Sequence, residues 1–179
     1  IDEIRQGCFG RDCIPSVDAP EFVDVKEADK IFRSNGVTAE DAIGIGLSYN
    51  GVDRFYPFGV LVTREIVNDT IGGQPLVVTY CPLCGTGIVF NRVYEGETLE
   101  FGVSGLLWQS NLLMYNRNEN EDDISLWSQV LGEAVLGEQT GAKLEIIPSD
   151  IVTFAEWSGS NPGGEVLNTG RISDPYNGD

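Results

Sequence analysis

Hydrophobic and polar positions alternate with two different periods along this chain, and each change of period marks an element. The stretch "VKEADKIFRSNG" has helical spacing and predicts a short helix from Val25 to Ser34, with Asp24 as its cap and Asn35-Gly36 as its stop. From Ala42 the period shortens. "AIGIGLSYNGVDRFYPF" reads as strand, Asn50-Gly51 turn and strand, because Asn-Gly between two such runs favours a hairpin. "GVLVTREIVND" returns to helical spacing at Val60, Leu61, Arg64, Glu65 and Val67 and predicts a second short helix. The β-branched run "QPLVVTYC" predicts a buried strand, "TGIVFNRVYEGETLEFGVSG" a hairpin turning at Glu95-Gly96, and "SNLLMYNR" a further strand. "NENEDD" is an exposed acidic loop, "LWSQVLGEAVLGEQTGAKLEIIP" short strands and turns, and "SDIVTFAEWSGSNP" a helix opened by Ser149 or Asp150. The tail, "GGEVLNTGRISDPYNGD", is loop-like.

Many short strands, frequent glycine turns and few helices predict a mainly β, β-rich α+β fold: an antiparallel barrel or sandwich with a few short helices. Residues 1–24, with their glycines, prolines and two cysteines, read as an extended N-terminal arm, and residues 25–179 as a single β-rich domain. No repeat of fixed period is visible.

Charge narrows the partners. Twenty-eight acidic residues stand against eleven basic ones, giving a net charge of -17, and only Lys26, Lys30 and Lys143 are lysines. Such a surface repels nucleic acid and anionic membranes, which excludes both as main partners. It suits high salt, where screening removes self-repulsion, and the expectation is a halophilic, extracellular or cell-surface setting. No run approaches the roughly 20 apolar residues of a membrane helix, so no direct membrane insertion is expected; a protein partner or self-assembly is the remaining partner class. No signal peptide is legible at Ile1, Asp2 and Glu3, which is compatible with a mature or trimmed chain. The chain contains no histidine, which removes Ser-His-Asp, Cys-His and His-metal sites, and no catalytic residue is assigned.

The segments "REIVNDTIGGQPLVVTYCPLCGTGIVFNR", "FGVSGLLWQSNLLMYNR" and "SLWSQVLGEAVLGEQTGAKLEIIP" resemble the domain-of-unknown-function family 3179, over about Pro15 to Tyr176. The resemblance implies a secreted or membrane-anchored bacterial or archaeal protein and brings no settled activity. In that family a histidine often precedes the Glu-Ile-Val-Asn-Asp segment, where this chain has Arg64, and glycine-rich sequence often stands where this chain has Cys8 and Cys13.

The four cysteines form two pairs. Cys8 and Cys13 lie in the arm and are expected to close a structural disulfide, given an oxidising compartment. Cys81 and Cys84, in "TYCPLCGTG", leave three readings open. They could be a dithiol/disulfide couple, although the motif lies between strands rather than at a helix N-terminus. They could be soft metal ligands; copper(I) needs few donors and accepts a thioether, which makes Met114 a third candidate. They could be a plain staple. Glu65 and Asp69, four apart, would share one helix face and could bind a cation or a proton. Asn68-Asp69-Thr70 is a formal glycosylation acceptor, read as fortuitous. Ser104 in "FGVSGLL" lacks both the glycine spacing and the histidine of a nucleophile elbow. Two functions follow: an extracytoplasmic thiol-redox or copper site at the Cys-x-x-Cys knuckle, or a non-catalytic surface, adhesion or assembly module with every cysteine in a disulfide.

Overall fold

A computed structural model describes residues 3–168. The described chain runs β1 (Ile4–Gln6), β2 (Glu21–Asp24), α1 (Val25–Ser34), β3 (Ile43–Tyr49), β4 (Val52–Pro57), α2 (Phe58–Leu61), β5 (Ile66–Ile71) and β6 (Gln74–Cys81). It continues with β7 (Thr86–Asn91), β8 (Val93–Tyr94), β9 (Glu97–Thr98), β10 (Phe101–Trp108), β11 (Asn111–Asn116), a 3-10 turn (Glu121–Asp123), β12 (Leu126–Ser128) and β13 (Glu133–Leu136). The last elements are β14 (Ile146–Ile147), β15 (Asp150–Thr153), α3 (Phe154–Ser160) and β16 (Glu165–Asn168). The fold is β-rich with several antiparallel sheets, few short helices and no closed barrel among the described residues. Contacts divide it into two compact units: residues up to Asp18 with Arg64–Thr70 and Gln74–Ile147, and Ala19–Thr63 with Ile71–Gly73 and the residues from Pro148 onward.

The first unit contains two larger sheets, ordered β1-β10-β11-β12-β13 and β14-β7-β6-β5. Ile66, Val77, Cys81 and Phe90 from one sheet join Phe101, Val103, Leu112, Met114 and Trp127 from the other in one buried cluster, which gives this unit the sandwich expected from the alternating strands. The N-terminal arm supplies β1 to the edge of β10. Further along it, the Gly7 and Cys8 N–H groups both donate to the Gly105 carbonyl. The β10–β11 register shifts between Val103 and Leu107, and Gly105 has φ +77. A Cβ there would stand 2.5 Å from the Gly10 carbonyl oxygen, so only glycine lets the arm lie this close to the bulge.

The second unit carries the sheet β15-β3-β4-β16-β2, antiparallel except for β16 beside β4. Asn50 and Gly51 both have positive φ and close the β3–β4 hairpin. Asp24 caps α1, its carboxylate accepting from the Glu27 N–H at 2.8 Å. Phe32, Phe55, Phe154 and Trp157 cluster with ring centroids 4.9–6.3 Å apart.

Several elements differ from the sequence pattern. The helix over "GVLVTREIVND" stops after one turn at Leu61, and Ile66–Ile71 is a strand, since Ile66, Val67 and Ile71 are buried in a sheet. The helix near residue 154 is capped by Thr153 rather than by Ser149 or Asp150. Asp150–Thr153 instead pair with β3 as an edge strand. The expected hairpin at Glu95-Gly96 is only the two-residue pair β8–β9, because β7 pairs with β6 and β10 with β11. Glu165–Asn168, read as loop, form β16, sandwiched between β4 and β2. The rest of the loop-like tail lies outside the described residues.

Candidate functional site

The segment "TYCPLCGTG" forms a hairpin loop between two antiparallel strands. Cys81 pairs with Thr86 as the last register pair of β6 and β7, leaving Pro82–Gly85 as the loop. The Cys84 N–H donates to the Cys81 carbonyl at 3.3 Å, and Gly85 turns the chain with φ +62. Pro82 cannot donate to a ladder and suits the position just past the strand end. The turn therefore sets Cys84 back beside Cys81, close enough for each thiol to shift the other.

Their surroundings differ. Cys81 is buried and Cys84 exposed, and no bond joins their sulfurs. Burial, followed by donation of its S–H to Cys84, pushes the Cys81 thiol up, against N–H groups of Leu112 and Cys84 that pull it down. At Cys84 burial also pushes upward, but interactions with Cys81, the Thr86 hydroxyl, Asn111 and the Thr86 N–H outweigh it and hold the thiol below its ordinary value. The Cys84 Sγ lies 3.2 Å from Thr86 Oγ1 and 3.3 Å from Asn111 Nδ2.

The donors are oriented by a buried, uncharged network. Gln129, fully buried, donates through Nε2 to Thr79 Oγ1 at 3.0 Å and to the Thr86 carbonyl at 3.2 Å. The Thr79 hydroxyl spends its proton on the Ile88 carbonyl at 2.7 Å, so it must accept from Gln129. Gln129 Oε1 then faces outward and accepts from Asn111 Nδ2 at 2.9 Å and from the Thr86 hydroxyl at 3.1 Å. Asn111 Oδ1 is held by the Val130 N–H at 3.0 Å, so its amide nitrogen must turn to Cys84. Three backbone groups of unambiguous polarity thus orient both amides, and the network ends in the Asn111 N–H donated to the exposed sulfur. Donors without charge stabilise a thiolate here, where no histidine exists to do so.

The other candidates fall elsewhere. Met114 belongs to the buried cluster that holds Cys81, fully enclosed and paired in register with Val103 and Trp127. Among the described residues no group of three or more Cys, His, Asp or Glu could hold a metal ion. Glu65 and Asp69 do not share a helix face: Glu65 has φ +60 just before β5, and Asp69 lies within that strand. Burial alone pushes the Glu65 carboxyl up to about 7. Asp69 is buried and accepts from the Thr70 N–H at 2.7 Å. Asn68 is buried too, bonded to both the N–H and the carbonyl of Phe101, which is no place for a glycan. Ser104 is buried and donates to the Leu113 carbonyl.

Cys8 and Cys13 stand with their sulfurs at bonding distance and their Cα atoms 6.2 Å apart. Arg117 anchors this loop, reaching Asp12 at 3.0 Å, Asp18 at 2.7 Å and Glu100 at 2.7 Å. Tyr115 donates to Asp12 as well, and Arg11 lies 5.2 Å from the Tyr115 ring centroid while binding Glu121 at 2.8 Å.

Thr79, Thr86, Asn111 and Gln129 were not singled out by the sequence. The only hint is that Asn111 and Gln129 are amides flanking apolar strand residues in "SNLLMYN" and "LWSQVLG". Residues 11–179 match the family described as Protein of unknown function (DUF3179), and the chain belongs to that family. No curated protein and no solved structure matches it.

Proposed function

We propose that Cys84 and Cys81 of this family member form a dithiol/disulfide couple, with Cys84 as the attacking thiolate and Cys81 as the resolving thiol. The asymmetry between the two sulfurs carries this reading: one is exposed and held low by oriented donors, the other is buried and held high. A staple would need neither the exposure nor the donors. In the forward step the Cys84 thiolate attacks one sulfur of a disulfide R–S–S–R′. The S–S bond breaks, R′S⁻ departs and takes up a proton, and R stays on Cys84 as a mixed disulfide. Cys81 then gives up its proton and attacks the Cys84 sulfur, which closes the Cys81–Cys84 bond and releases R as a thiol. Two electrons pass from the pair to the substrate, and an external dithiol restores the pair by the reverse exchange. The Cys8–Cys13 pair supports an oxidising setting outside the cytoplasm.

Alkylation of the reduced protein across pH tests the assignment, with the modified cysteine identified by peptide mapping. Cys84 is expected to react below the ordinary thiol range and Cys81 only after unfolding. The Cys81→Ser variant is expected to accumulate a mixed disulfide at Cys84 when mixed with an aromatic disulfide. An ordinary alkylation profile at Cys84 with no trapped adduct overturns the reading. Stoichiometric copper in protein purified without reductant, lost in Cys84→Ser, would replace it with the copper site.

A further inference from the structure

Three large apolar side chains stand in water on the two loops that Asn111 links, the one that carries Cys84 and the one after Gln129. Leu83, its neighbour in the loop, is 67 % exposed, and Val130 and Leu131 are 43 % and 50 % exposed. Two hydrogen bonds tie the second loop to the thiol: the Val130 N–H holds Asn111 Oδ1, and Asn111 Nδ2 holds Cys84 Sγ. The Gly132 N–H closes that turn on the Ser128 carbonyl at 2.9 Å, which leaves Val130 and Leu131 at its tip. A solvated turn would carry polar residues at such positions, so an exposed Val-Leu tip tied through Asn111 to the loop of an exposed Leu marks a contact surface.

The charge pattern narrows what fits. The chain has 28 acidic residues, yet not one Asp, Glu, Lys or Arg occurs from Gln74 to Asn91, from Phe101 to Asn116 or from Ile124 to Gly132. These are the segments that build the thiol, its network and its rim. A small anionic disulfide would find no cation in those segments, Lys143 next to Gly132 is paired with Glu133 at 3.2 Å, and the molecule it approaches carries a net charge of -17. A neutral, apolar stretch of polypeptide meets neither obstacle.

We propose that Leu83, Val130 and Leu131 form a docking rim for a partner polypeptide whose disulfide is flanked by apolar residues, so that the couple acts on protein disulfides rather than on small anionic ones. This rests on the dithiol reading above. The apolar flanks bury against the rim, and the substrate sulfur comes to rest over Cys84.

Stopped-flow oxidation of the reduced protein, full chain, by three probes tests it. The probes are a disulfide-linked peptide dimer with leucine flanking each cysteine, the matching dimer flanked by serine, and oxidised glutathione. The leucine dimer is expected to react fastest. Leu83→Ser and the pair Val130→Ser with Leu131→Ser are each expected to slow it about tenfold, the loss expected when an apolar contact is removed from a pocket. Their rates with glutathione should stay within about twofold. Equal rates for both dimers, or rim variants that slow all three probes alike, overturn the rim while leaving the couple standing. No reaction with any probe overturns the couple itself.

Discussion

Around Cys8 and Cys13 the contacts are ionic, with Arg117 gripping three carboxylates and Arg11 a fourth. Around Cys81 and Cys84 they are neutral, made of two threonines and two primary amides. Both pairs belong to the same compact unit, and both bring sulfurs together over a few residues. An ionic frame suits a loop that only has to stay in place. It would be the wrong frame for a reactive thiol, because a nearby carboxylate would raise the thiol and a fixed cation would attract anions without selecting among them. Neutral donors lower the thiol and leave the surface above it uncharged.

The comparison breaks most directly at the sulfurs. Cys84→Ser is expected to abolish thiol exchange, a loss of at least about a hundredfold. The double variant Cys8→Ser with Cys13→Ser should keep the exchange rate and lose about 2 kcal/mol of stability, the entropy of one short closed loop. Exchange kinetics and denaturant melts on the same two proteins check both halves; equal loss of exchange in the two would erase the distinction.

Arg117→Met is next in size. Burial pulls the guanidinium down, but the bonds to Tyr115, Asp12, Glu100 and Asp18 hold it well above its usual value. Removing it strands those carboxylates beside one another, at a cost of about 3 kcal/mol for a half-buried network. The loss should appear in urea melts at neutral pH and shrink only in strong acid, because Asp18 is held below the usual carboxylate range.

Asn111→Asp sharpens the neutral side. It replaces the donor at 3.3 Å from Cys84 by an acceptor or an anion, and the alkylation profile of Cys84 should move to higher pH, with about a tenfold lower rate at neutral pH. An unmoved profile would show that Asn111 does not set the thiol. Asn111→Ser, which carries no charge, should fall between the two.

Glu65 supplies an acid with no ionic frame. Its carboxyl titrates near 7 in the folded chain against 4.5 as its ordinary value. The folded state therefore binds that proton more tightly, so the contribution is fully present below about pH 4.5 and is lost as pH rises through about 7. Glu65→Gln should remove this slope and raise stability at pH 8 by about 1 kcal/mol, once solvent at the half-buried group is allowed for. Melts at pH 5 and pH 8 decide it. The smallest effect is general: molar sodium chloride should raise the thermal midpoint by a few degrees by screening the net charge of -17.

Much of the framework was legible because its signals are local. The helix Val25–Ser34 with its Asp24 cap, the Asn50-Gly51 turn and the strand Gln74–Cys81 each depend on a few neighbouring residues. The helix read through Arg64 and Glu65 failed because a period of a few residues cannot distinguish a short helix from a buried β-branched strand that only its sheet partners stabilise. The closing strand Glu165–Asn168 was missed for the same reason: its pairing partners lie far away in sequence.

Residue order alone settles the spacing of Cys81 and Cys84, the proline and glycines that make their loop tight, the absence of any histidine and the surplus of acid. These follow from covalent geometry and from composition, which no fold can alter. Which sulfur is exposed, and which way Asn111 and Gln129 point, had to wait for strands β6, β7, β11 and β12 to meet. A hydrogen bond is set by the position of both partners, and Cys84, Asn111 and Gln129 become neighbours only when the sheets of the sandwich close on one another.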